Sequence, residues 1–217
     1  MNAEELPDAD TYTATRLSLH AVAELLLAGP QYRTSGTIRL RATPEGFGTV
    51  AAPDLRVEGD ALVTGGTRLP LDGRSPRELG AVTGAGAGAP EGLYHDGSGA
   101  SIADVLRVDA GAARYLQRCL ALGDEALRAF APGQTPVLWP EHFDIGILLD
   151  QVAYGVSCGD TYLGVPYAYV VPWEARSGEF WNAPFGAARP MSEVSDVPGF
   201  FAEGRRHLAS GGPGQNA

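Results

Sequence analysis

The chain has no lysine, two cysteines, two methionines and four isoleucines. Each shortage excludes something. Two cysteines, Cys119 and Cys158, are too few for the disulfide framework of a secreted mini-domain, so both are read as reduced thiols. Sixteen arginines carry all the fixed positive charge against 26 Asp plus Glu, and the net charge of −10 gives a phosphate backbone nothing to hold. Nucleic acid is therefore excluded as a partner. No apolar run approaches the roughly 18 residues that cross a bilayer, which excludes membrane insertion. The chain opens with Glu4, Glu5, Asp8 and Asp10 where a secretory signal would be basic, so a cytoplasmic location is expected. The missing lysines accompany abundant Ala, Gly, Arg and Pro, the signature of a GC-rich genome rather than an adapted surface.

What is present describes a folded, loop-rich domain. Gly and Pro make up about a fifth of the 217 residues, short of the roughly 25–30% that marks low-complexity chains. A chain of this length buries roughly 70% of its unfolded surface in one core and needs no staple. Residues 1–12 and 209–217 lack periodicity and are expected to fray. From Thr13 to Ala28, Leu17, Ala21, Val22, Leu25 and Leu26 recur at helical spacing. Arg16, His20 and Glu24 fall on another side, read as solvated, and Gly29-Pro30 closes the helix. The period then drops to two. Short segments at Ile38–Leu40, Phe47–Val50, Leu55–Val57, Leu62–Val63 and Leu69–Leu71, punctuated by Pro44, Gly59 and Gly65-Gly66, read as an antiparallel meander.

A Gly-rich connection covers 84–100; with no strand feeding it and no Lys closing it, it is a linker rather than a phosphate cradle. A second helix begins after Asp109 as N-cap and runs to about Phe130. Strands then fill Pro136 to about Trp181, and a last helix runs from near Val197, capped by Asp196, to Leu208. The expected fold is α+β, a single domain over 13–208 with mainly antiparallel β-sheet and about three packed helices. Two halves, 13–83 and 101–208, would share a helix-then-strands order, although no residue-level repeat joins them.

The segment Leu138–Gly159 carries the most information. If 142–149 and 152–158 pair around Asp150-Gln151, then Leu149 faces Val152, Ile147 faces Tyr154 and Asp144 faces Ser157. Phe143, Ile145, Ile147, Leu149, Val152, Tyr154, Val156 and Cys158 form an apolar face. His142, Asp144, Gly146, Gly155 and Ser157 gather on the other. Paired glycines inside strands mark places where a ligand or another backbone comes close. Three readings stay open: an ordinary Asp144–Ser157 cross-strand hydrogen bond, a small-molecule pocket anchored by His142 and Asp144, or catalysis with His142 as acid or base oriented by Asp144. Tyr167, Tyr169 and Trp173 share one face of the next strand. Tyr167, Trp173 and Trp181 would wall the pocket, with Asn182 as a donor and acceptor pair.

Competing motifs are weaker. Gly155–Gly159 matches G-x-S-x-G, but no helix follows Ser157 and no parallel βα repeats surround it. A metal site would need Glu141, His142 and Asp144 completed by His20, His95 or Asp160, and adjacent strand residues point apart, so no metal and no cofactor is assigned. Residues 131–200 hold eight acidic and two basic side chains. That excess supports the alternative of an acidic interaction module, immunity-like or regulatory, that masks a basic protein partner.

The strings LWPEHFDIG (138–146), YGVSCGD (154–160), PYAYVVPW (166–173) and FWNAPFGA (180–187), with RLSLHAVAELLLAGPQYR (16–33) and GFGTVAAPDLRV (46–57), resemble an uncharacterised protein family of actinobacteria. The resemblance covers most of 13–208. It names relatives without naming a reaction. A proline is more usual in that family where Cys158 stands, which weighs further against thiol chemistry.

Overall fold

A computed structural model describes residues 7–94 and 97–210. Ten short strands form one antiparallel sheet in the order β10-β9-β8-β7-β6-β1-β2-β3-β4-β5. The strands are β1 (Leu40–Thr43), β2 (Gly46–Thr49), β3 (Arg56–Glu58), β4 (Ala61–Thr64), β5 (Thr67–Pro70), β6 (Val137–Trp139), β7 (Asp144–Leu149), β8 (Val152–Ser157), β9 (Tyr167–Pro172) and β10 (Ala187–Pro190). Each group of five is a meander that follows a helix. The two meanders meet through their first strands, where Leu40 pairs with Leu138. The α+β architecture is thus one continuous sheet to which both halves contribute.

The N-terminal helix is longer than its periodicity implied. Asp8 caps it by accepting from the Thr11 amide at 3.0 Å, and α1 (Ala9–Val22) continues through a π turn (Ala23–Ala28) into α2 (Gly29–Ser35). Residues 9–12, expected to fray, are its first turn; Tyr12 is buried and its hydroxyl donates to the Cys158 carbonyl at 2.7 Å. Residues 1–6 and 211–217 lie outside the described residues, while Ala209 and Ser210 end the last helix. Gly29-Pro30 does not stop the helix, because Pro30 falls in the first turn after the π turn, where a missing N–H breaks no needed bond. The stop comes at Gly36, whose φ of +70° a glycine adopts without strain.

The polar row of α1 is also corrected. Arg16 donates to the Gly159 carbonyl at 2.9 Å, His20 Nε2 lies 2.8 Å from the Pro140 carbonyl, and Glu24, buried, accepts from the Ser98 amide at 2.9 Å and from its hydroxyl. Leu17 is the residue in solvent, 49% exposed. Loop groups at 98, 140 and 159 offer these side chains partners, so the row turns inward.

Helix α3 (Pro76–Thr83) was not expected. Ser75 accepts from the Glu78 amide while the Glu78 carboxylate accepts from the Ser75 amide at 2.8 Å, a capping box followed by Pro at N1. Helix α4 (Ala110–Phe130) starts where Asp109 caps it, accepting from the Ala112 amide at 2.8 Å. Its stripe of Ala112, Ala113, Leu116, Cys119, Leu120, Gly123 and Leu127 is buried. Gly123 permits close contact with the sheet, because a Cβ there would meet Ile145 and Val156 at 2.9 Å. Helix α5 (Val197–Ser210) is capped by Asp196, which accepts from the Gly199 amide at 2.9 Å.

These helices and one face of the sheet share a single core that includes Leu19, Leu26, Leu40, Phe47, Leu62, Leu116, Leu138, Ile145, Val156, Val170 and Phe201. The opposite face of the C-terminal strands carries a second, smaller cluster of Tyr167, Tyr169 and Ala188, packed by Ala153, Leu163, Val171, Ala183 and Phe185. Among the described residues no helix is long and apolar enough to cross a membrane.

Candidate functional site

The β7–β8 hairpin places the site. Asp144 pairs with Ser157, Gly146 with Gly155, Ile147 with Tyr154 and Leu149 with Val152, the register implied by the sorting of faces. Asp150 and Gln151 both take positive φ, 52° and 62°, the twist that a two-residue turn needs to return the chain. Ile145, Ile147, Val152, Tyr154, Val156 and Cys158 enter the main core. Asp144, Gly146, Gly155 and Ser157 face the other way.

His142 is not a strand residue. Strand β6 pairs with β7 so that Trp139 faces Asp144, and Pro140–Phe143 make the connection, closed by the Phe143 amide donating to the Trp139 carbonyl at 2.8 Å. Phe143 adopts φ +51° and buries its ring against Phe47, centroids 5.4 Å apart. On its other side lies the His20 ring, at 5.5 Å and 7°. Burial there drives the His20 pKa below its ordinary value, partly offset by its contact with the Pro140 carbonyl. The turn aims the Phe143 ring into the core and leaves His142 exposed at the rim of the outer face.

The two facing glycines have an occupant. Tyr169 on β9 pairs with Gly155, and a Cβ on Gly155 would collide with its hydroxyl and ring; one on Gly146 would sit 2.8 Å from the same hydroxyl. The phenol therefore lies flat across both strands, in the space the glycines leave. Its hydroxyl donates to Asp144 Oδ2 in a short hydrogen bond. The ring also roofs a floor that would otherwise be bare backbone.

Asp144 is 9% exposed, and its second oxygen, Oδ1, has no hydrogen-bond partner within the protein. Burial raises its pKa to about 6, against the pull of the Tyr169 hydrogen bond and the nearby His142; Glu141 adds to the rise. Tyr169 itself is pushed well above the usual phenol range by burial and by the Asp144 carboxylate. Asp144 opens into a cleft of about 560 Å³ edged by Arg39, Trp139, Glu141, His142, Leu148, Ala153 and Tyr169. The Arg39 guanidinium sits 5.9 Å above the Trp139 ring. Comparison with known proteins finds no matching family model, no curated relative and no matching solved structure. The cleft must be read on its own chemistry.

The structure brings His142 and Asp144 together with Tyr169 and sends the other sequence-derived candidates elsewhere. Ser157 is buried one strand away, its hydroxyl accepting from the Gly159 amide at 3.0 Å. Tyr167 faces Ser157 in register and donates to Asp160 at 2.6 Å under the 159–165 loop. Trp173 lies past the end of β9, 68% exposed. Trp181 packs on the main core beside Phe180, at 4.9 Å, on the helical side of the sheet. Asn182 spends its amide on the backbone of Ala188, donating to its carbonyl and accepting from its amide, each at 3.0 Å. None of these five lines the cleft.

Arg39, Trp139 and Tyr169 are cleft residues that sequence reasoning missed. For the first two the signal was available: Arg39 alternates with Ile38 and Leu40, and Trp139 with Leu138, so both belong on the outer face. Cys158 is buried in the core, its thiol pKa driven well above the ordinary value, and burial pushes Cys119 up to about 12. Neither has thiolate character. Among the described residues no group of three or more His, Cys, Asp or Glu side chains converges on a metal position, and His95 lies outside them. A larger groove of about 870 Å³ runs between α4 and residues 191–198. Among the described residues, no buried polar atom without a partner lines it, which sets it apart from the Asp144 cleft.

Proposed function

We propose that this protein binds a small polar molecule in the cleft on the outer face of β6–β8 and exchanges a proton with it through Asp144. One observation carries the reading: a buried aspartate that lines an open cleft and keeps one carboxylate oxygen without a partner in the fold. Such a group costs stability, and a cleft that supplies its missing partner from a ligand recovers that cost. A carboxyl whose pKa lies near 6 is present in both protonation states around neutrality, the condition for a general acid or base. Tyr169 fixes the carboxyl plane by holding Oδ2, which leaves Oδ1 for the ligand. His142, exposed at the rim, is placed to pass a proton between the cleft and water. The kinship with the actinobacterial family belongs to the same proposal and adds no reaction to it.

The test is a fragment screen read by amide and indole chemical shifts. Hits are expected to move Asp144, Gly146, Ala153 and the Trp139 indole, and to vanish in Asp144→Asn. Hits confined to the α4 groove, or unchanged by the substitution, would overturn the reading.

A further inference from the structure

We infer, resting on the cleft reading above, that the ligand is a small zwitterion that places a protonated nitrogen at Asp144 and a carboxylate or similar anion at Arg39. The sheet register sets the spacing. Leu40 pairs with Leu138, which puts Arg39 opposite Trp139, and Trp139 pairs with Asp144. Cation, aromatic ring and carboxylate thus form one cross-strand row on the outer face. Neighbouring strands lie about 4.8 Å apart, so the backbones of Arg39 and Asp144 are separated by roughly 10 Å. The Arg39 guanidinium lies over the Trp139 ring, 5.9 Å from its centroid, on the strand pairing that links the two ends of the row.

Each end of the row calls for a particular partner. An ionised carboxylate accepts only, so Asp144 Oδ1 requires a donor, and a buried carboxylate gains most from a donor that brings positive charge. Glu141 adds a second carboxylate to the same rim and makes a purely anionic ligand unfavourable there. Arg39 is exposed, and its guanidinium presents a planar fork suited to a carboxylate or phosphate oxygen pair. Between the ends, Val137, Leu148, Ala153 and the Trp139 ring give an apolar wall that fits the carbon body joining two charges. A neutral ligand would leave the charge at both ends uncompensated, and a metal ion would leave Arg39 without a role.

The experiment is a calorimetric titration of the intact protein at pH 7.5 with ω-amino acids of increasing length: glycine, β-alanine, γ-aminobutyrate and 6-aminohexanoate. Butylamine, sodium butyrate and magnesium chloride serve as controls. One length is expected to bind about tenfold more tightly than butylamine or butyrate, the worth of one added charge-assisted hydrogen bond. Asp144→Asn is expected to abolish that binding. Arg39→Ala, at an exposed position, is expected to reduce the preferred amino acid to the affinity of butylamine. Equal binding of all lengths, binding of magnesium alone, binding unaffected by either substitution, or no binding by any ω-amino acid would overturn the zwitterion. If the fragment screen still places neutral hits in the cleft, the binding reading survives and only the ligand class falls.

Discussion

Replacing Asp144 by Asn should make the protein more stable at neutral pH, and the gain should vanish in acid. The carboxyl is raised from 3.8 to about 6 in the folded state. The fold therefore favours the protonated form, so the stability that Asp144 permits is fully present below about pH 4 and is lost as pH rises through 6. A shift of about two units corresponds to a penalty on the order of 3 kcal/mol for the ionised carboxylate at pH 8. Asn is neutral, keeps an oxygen to accept from Tyr169, and occupies the same volume. At pH 4 the acid and the amide are both uncharged, so the two proteins should match within about 1 kcal/mol, one hydrogen bond's worth. Urea unfolding of both proteins from pH 4 to pH 8 gives the difference directly, because titrating groups that do not interact with Asp144 cancel. Asp144→Asn should gain steadily from pH 4 and level off above pH 7. Parallel stability curves, or a variant that loses stability at pH 8, would refute the reasoning. A carboxylate kept at such a cost is expected where function rather than stability selects the residue.

Four further substitutions test the geometry around it. Gly155→Ala drives a methyl into the Tyr169 ring and should cost about 3 kcal/mol by urea unfolding, more than Gly146→Ala, whose nearest obstacle is only the hydroxyl at 2.8 Å. Tyr169→Phe removes the donor to Asp144; it should cost about 2 kcal/mol at pH 8, less at pH 4, and move the Asp144 titration above 6. Gln151→Gly relieves a positive φ in the hairpin turn and should stabilise by about 1 kcal/mol in thermal unfolding, with the Asp144–Ser157 register intact by amide exchange.

The fold was legible where period and punctuation agree. Alternation gave the first meander, Asp109 and Asp196 announced their helices, and the sorting of side chains between 144 and 157 set the hairpin register, whereas β10 lies beyond Trp181, where the second set of strands was expected to end. Ser75-Pro76-Arg77-Glu78 spells a capping box, yet the helix it opens is two turns long, too short for a hydrophobic period to flag. The Arg16, His20 and Glu24 row looked solvated because polarity along a helix says nothing of loop carbonyls and amides brought to it from residues 98, 140 and 159. Half of the site was readable for the same reason as the hairpin: strand register places Asp144 and the two glycines on one face. The rest depends on neighbours in space. Only the β8–β9 pairing shows that the glycines make room for Tyr169, and only the β1–β6 pairing brings Arg39 beside Trp139. Trp181 was misplaced because the loop after β9 carries it to the helical side, and Asn182 because its amide is spent on the Ala188 backbone, neither of which a local pattern encodes.

The most direct test of the account is the titration of the Asp144 carboxyl carbon by 13C NMR in the free protein. The account predicts a midpoint near 6, well apart from the solvent-exposed aspartates. A midpoint at or below 4 would mean that the carboxylate is already fully satisfied within the fold, and the cleft would lose the group on which its chemistry rests.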